Sequence, residues 1–79
     1  MAIQTTEMTE LGEFLARKSI NKAEVSRRTG ISQSRLSELA LNPSTKLQAK
    51  ELYLIALAID IEPGEVLNEV CKHLKLQTD

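Results

Sequence analysis

The sequence predicts an all-α fold: a small domain of five helices. Three observations lead there. Apolar residues recur at helical spacing through most of the chain, and no stretch shows the sustained two-residue alternation of a half-buried strand. Residues that cap or break helices, among them Thr9, Asn21, Gly30, Ser32 and Pro63, stand between those stretches. The length of 79 residues suits a single domain. A chain this short buries only about 60% of its unfolded surface, so the core must be modest. Residues 1–79 read as one domain with its core over about 9–75.

The first helix is expected from Thr6 or Thr9 to Lys18. Met8, Leu11, Phe14 and Leu15 form one apolar stripe along it. Ser19-Ile20-Asn21 breaks it. Two short helices follow, roughly Lys22–Arg28 and Gln33–Leu41. The Asn21 side-chain oxygen can accept from the free N–H groups of the first turn. Val25 faces inward with Ser26 beside it. Gly30 comes where the helix must stop, and glycine takes left-handed backbone angles without a Cβ clash. Ile31 plugs the corner, Ser32 caps the next helix, and Leu36 and Leu39 form its inward face.

Asn42-Pro43-Ser44-Thr45 reads as a turn. The fourth helix is expected from Gln48 to Asp60. Its centre, LYLIALAI, is apolar on all sides, which places it at the middle of the fold, buried from more than one direction. Ile61-Glu62-Pro63-Gly64 breaks the chain again. Pro63 suits the first turn of a helix, and Glu62 and Glu65 suit its positive end. The last helix presents Val66, Leu67, Val70 and Leu74, and the tail from Leu76 to Asp79 is expected to fray.

Charge is unevenly spread. The formal net charge is −1. Residues 17–50, however, carry Arg17, Lys18, Lys22, Arg27, Arg28, Arg35, Lys46 and Lys50 against Glu24 and Glu38 alone. Both flanks are acidic. The basic third coincides with the two short helices, as a phosphate-binding patch would require.

Other chemistries find little support. One cysteine cannot pair within the chain, and one histidine cannot complete a metal site, so no metal and no cofactor are expected. Cys71 reads as an inert thiol, since nothing nearby in sequence lowers its pKa. His73 has no visible partner. Phe14 and Tyr53 are too few aromatics for a single-strand or RNA stacking platform. No nucleophile–base pair, catalytic carboxylate pair or phosphate loop appears, so an enzyme is not expected. A lone thiol with no secretory signal points to the cytoplasm. The longest near-continuous apolar run, Leu52–Ile59, is too short to cross a bilayer.

The order of elements and the hairpin together resemble the lambda-repressor-like helix-turn-helix regulators of bacteria and phages, the Cro/repressor or XRE family. Ile20-Asn21-Lys22, Val25-Ser26, Gly30-Ile31-Ser32-Gln33-Ser34, Leu36 and Leu39 carry the resemblance. Leu52 to Ile61 looks like the family's fourth helix, and Glu65-Val66-Leu67 like the start of its fifth. The likeness covers roughly Leu11 to Leu74. It implies a compact five-helix domain that places its third helix in the major groove of double-stranded DNA.

On that resemblance, Gln33 and Ser34 would read bases, with Ser37 and Glu38 on or beside the same face. A glutamine amide can bond adenine N6 and N7 together, and a carboxylate can accept from cytosine N4. Lys22, Ser32, Arg35, Asn42 and Lys46 would hold phosphates. Lys22 stands where the family often has a glutamine that both holds a phosphate and braces the reader. Arg27 and Arg28 end a helix whose C-terminus favours cations, so a structural role is open to them as well.

Two positions depart from the family. Ser26 stands where alanine is usual, and its hydroxyl is expected to bond a carbonyl one turn back. The third helix leaves through Ala40-Leu41-Asn42-Pro43, where Asn42 is expected to take a left-handed cap. Leu41 there projects outward, which moves the phosphate role at this end to Lys46.

The resemblance also implies a homodimer on half-sites about 34 Å apart. Val66, Leu67, Val70 and Leu74 are the candidate dimer surface, or else they cover the fourth helix. The competing reading, from another class, is a protein-interaction module such as the antitoxin half of a toxin–antitoxin pair.

Overall fold

A computed structural model describes residues 8–77. The alternative helix start at Thr6, and Thr78 and Asp79 of the tail, lie outside the described residues. Five helices follow in order: α1 (Glu10–Arg17), α2 (Lys22–Thr29), α3 (Gln33–Leu41), α4 (Ala49–Ala58) and α5 (Pro63–Cys71). No strand occurs among the described residues.

The helices close a ring. α1 packs on α3 and α5, α2 on α3 and α4, and α4 on α5. Phe14, Leu36, Ile55 and Val66, from four different helices, are the largest fully buried side chains at its centre. Leu11, Leu15, Val25, Leu39, Leu52 and Ala56 complete the core. Each helix therefore contributes one stripe and leaves one face outward. α4 is no exception, although the sequence placed it centrally. Leu52, Ile55 and Ala56 are buried, while Tyr53, Leu54 and Leu57 remain exposed. No further element among the described residues covers their side.

The helix starts obey their caps. Thr9 accepts from the Gly12 N–H, Asn21 from the Glu24 N–H and Ser32 from the Arg35 N–H. Pro63 opens α5. Gly30 ends α2 at φ 81°, the left-handed angle that the turn demands.

Two local expectations fail. Asn42 is extended, at φ −109° and ψ 106°, not left-handed. Pro43 explains this, because its ring crowds the preceding residue out of helical angles. Asn42 instead turns the chain through its side chain, whose Oδ1 accepts from the Ser44 N–H at 2.9 Å. The back-bond expected of Ser26 is made by Thr29, whose hydroxyl donates to the Val25 carbonyl at 2.7 Å. Ser26 makes no side-chain hydrogen bond among the described residues.

The start of α1 is fastened to the end of α3. The Thr9 N–H donates to the Ala40 carbonyl at 2.9 Å. Its hydroxyl donates to the Leu39 and Ala40 carbonyls at 2.7 and 3.0 Å. Three residues on, Gly12 lies so close that a Cβ there would sit 2.1 Å from the Ala40 oxygen. Glycine is thus required by contact at this point, and the positive end of one helix meets the negative end of another.

Candidate nucleic-acid interface

The α2–turn–α3 hairpin presents its polar residues at the start of α3. Gln33 and Ser34 are exposed, and their side chains bond to nothing else among the described residues. They project from the first turn, where side chains reach furthest ahead of a helix end. Ser37 is half-buried. Glu38 is exposed and accepts a 3.3 Å hydrogen bond from the Thr45 hydroxyl, tying α3 to the loop that follows it.

Arg35 has a different environment from its neighbours. Its Nε donates to Glu51 Oε2 at 2.8 Å and its Nη2 to Glu51 Oε1 at 3.1 Å, a two-pronged pair between α3 and α4. Nη2 also donates to the Lys46 carbonyl at 3.0 Å. Glu51 Oε1 in turn accepts from the Gln48 N–H at 2.9 Å, so one carboxylate caps α4 and holds α3. The Arg35 hydrogen bonds hold the Glu51 carboxyl below its ordinary pKa, aided by the Gln48 N–H and the nearby Lys50 charge, and partial burial opposes them. The Glu51 hydrogen bond raises Arg35 in return.

The other arginines are also occupied. Arg17 pairs with Glu69 of α5 at 3.1 Å, and Arg27 pairs with Glu24 within α2. Arg28 donates to the Ala58 carbonyl at 2.8 Å and so closes the C-terminus of α4. The lysines differ. Lys22, at the first position of α2, and Lys46, in the loop after α3, make no ion pair among the described residues. Lys46 is exposed, Lys22 half-buried. Lys22, Arg35 and Lys46 therefore make no continuous free basic surface, which would have favoured DNA; the middle charge is paired with an acid, which on this point favours the protein-interaction reading. Ser32 is occupied as a cap and Asn42 in its own turn, though both remain exposed. Leu41 is exposed, as its position on α3 implied.

A family comparison matches residues 10–72, from the first residue of α1 to just past α5, to the Cro/C1-type HTH DNA-binding domain. The chain belongs to the Cro/C1-type HTH family. No curated protein and no solved structure matches it. A DNA-binding regulatory function follows in general terms for this Cro/C1-type domain. Among the described residues no His, Cys, Asp or Glu cluster suits a metal ion, and no helix is long and apolar enough to cross a membrane.

The candidate dimer stripe divides between core and surface. Val66 is fully buried, and Val70 is half-buried against the core. Val66 is therefore a core residue and offers nothing to a partner. Leu67 is exposed, and so is Leu74, which lies beyond the end of α5. Cys71 is half-buried and free. His73 Nδ1 stands 3.9 Å from a Glu10 carboxylate oxygen, a partner that sequence alone did not show.

Sequence reasoning missed Glu51 and Thr9 as organisers of the site. The Gln48-x-x-Glu51 spacing was a readable half of a capping box. Nothing local in the sequence links Glu51 to Arg35, sixteen positions earlier.

Proposed function

We propose that this protein is a sequence-specific regulator that binds double-stranded DNA by seating α3 in the major groove. Gln33 and Ser34 read base edges, with Ser37 and Glu38 at the border of the contact. Lys22 and Lys46 hold phosphates on either side, joined by the exposed Ser32 and Asn42. Arg35 braces the reading helix through Glu51 in place of the phosphate contact expected from its position. Repression or autoregulation in the cytoplasm, with two copies on paired half-sites, is the form such a module takes.

The observation that carries this reading is the contrast within one turn of α3. Arg35 is held by Glu51, while the side chains of Gln33 and Ser34 beside it are exposed and unpartnered. Selection of bound duplexes from a random pool tests it, followed by salt titration on the selected site. A shared motif and steep weakening with salt are expected. Equal retention of all sequences would overturn it. A second reading, a module that docks a different protein such as a toxin, draws support from the exposed Tyr53, Leu57 and Leu67.

A further inference from the structure

The outward face of α4 carries apolar residues with nothing against them. Tyr53 and Leu57, one turn apart, are 55% and 52% exposed, and Leu67 on α5 is 49% exposed. Pro63 joins them into one surface: it lines one depression with Tyr53 and Leu67, and a second with Leu57 and Asp60. Contiguous apolar surface of this kind marks a place where something binds.

Charge identifies the occupant. Lys50 stands one turn before Tyr53, at the positive end of α4, and Asp60 stands just past the negative end. Both are exposed, and neither has an ion-pair partner among the described residues. The two charges lie at equal sequence distance on either side of Ile55, as Tyr53 and Leu57 do. Glu62, exposed in the same depression as Asp60, has the uncharged Gln48 at its mirrored position, so Lys50 and Asp60 carry the complementarity of this surface under a twofold rotation.

We infer that α4 is the self-association face of this protein, pairing antiparallel with α4 of a second copy about an axis level with Ile55. Tyr53 of each copy packs on Leu57 of the other. Lys50 of each faces Asp60 of the other, and the two helix dipoles oppose favourably. A parallel arrangement would set like charges together. The inference supplies a surface for the paired-half-site reading above and moves its centre from the α5 stripe, of which the exposed Leu67 stays at the edge, to α4.

Sedimentation equilibrium of the full chain without DNA tests this, with thermal melts confirming that each variant folds. The wild type is expected to dimerise, and L57E to weaken association by at least about tenfold. K50E sets acid against acid at both ends, and D60K sets base against base, so each alone associates poorly. Mixed in equal amounts, K50E and D60K regain two attractive pairs, and a heterodimer forms. A wild-type chain that stays monomeric, an L57E variant that still dimerises, or a mixture no better than its parts would overturn the inference. Because DNA is absent, loss of site-specific retention by an intact dimer would count against the DNA reading alone.

Discussion

Arg35 and Glu51 form a two-pronged ion pair between α3 and α4, two helices that share no backbone packing. Because Arg35 Nη2 also holds the Lys46 carbonyl, α3, the loop after it and the start of α4 are tied together. The guanidinium fork suits this task better than an ammonium would, since it satisfies both carboxylate oxygens at once.

The pair makes stability depend on acid. Glu51 is held below its ordinary pKa in the folded state. Its contribution is therefore fully present above the unfolded-state value, about 4.3, and is lost as pH falls through the folded one. Thermal melts of E51Q should show a lower midpoint than wild type at neutral pH. Between neutral and strongly acidic pH the E51Q midpoint should fall less steeply. Parallel curves for the two proteins would show that Glu51 does not carry this dependence.

Gly12→Ala should reverse the usual rule for helices. An alanine in a helix interior normally gains roughly 0.5–1 kcal/mol over glycine. Here the new Cβ would meet the Ala40 carbonyl oxygen at 2.1 Å and push α1 from α3. Destabilisation of about 1–3 kcal/mol or more is expected in urea unfolding. Thr9→Ala, which removes the hydroxyl from the same joint, should cost about 1 kcal/mol for the cap alone.

Gly30→Ala acts through the backbone. At φ 81° nothing crowds the missing Cβ, so the cost is the left-handed conformation itself. Roughly 1–2 kcal/mol is expected by the same unfolding measurement. A neutral result would mean that the turn relaxes to other angles.

The two kinds of DNA contact proposed above separate by substitution. Gln33→Ala should cost about 1–3 kcal/mol on the selected site and little on random duplex. Lys22→Ala should weaken both alike and lower the slope of log affinity against log salt by about 1. Equal losses from Gln33→Ala on both duplexes would remove it from the base-reading set.

Much of the fold was legible because its signals are local. Caps at Asn21 and Ser32, the stop at Gly30 and the leading Pro63 each act within a few residues. The inward stripe of α3 followed from spacing, and so did that of α1 apart from Met8, which precedes the helix and is exposed. The fourth helix packs on α2 of the hairpin and on α5, as its apolar centre implied, but its burial on all sides was overestimated because LYLIALAI has no polar face to mark which side turns outward. Only packing, through Leu52, Ile55 and Ala56, decides that. In the candidate site, the exposure of Gln33 and Ser34 was legible from their position at the start of α3, and their base-reading role is the proposal above. The pairing of Arg35 was not legible, because the partner that occupies it comes from another helix. Asn42 was misread by weighing its own tolerance and not the constraint from Pro43.

The division between arginine and lysine has a chemical consequence. Arg17, Arg27, Arg28 and Arg35 are all engaged within the domain, and Lys22 and Lys46 are not. A reagent that acylates primary amines neutralises lysines and spares guanidinium groups. Mild treatment with acetic anhydride would thus discharge Lys22 and Lys46 and break the Lys72–Glu69 pair, while sparing every arginine tie. On the DNA reading proposed above, the product would be a folded protein that has lost its phosphate contacts.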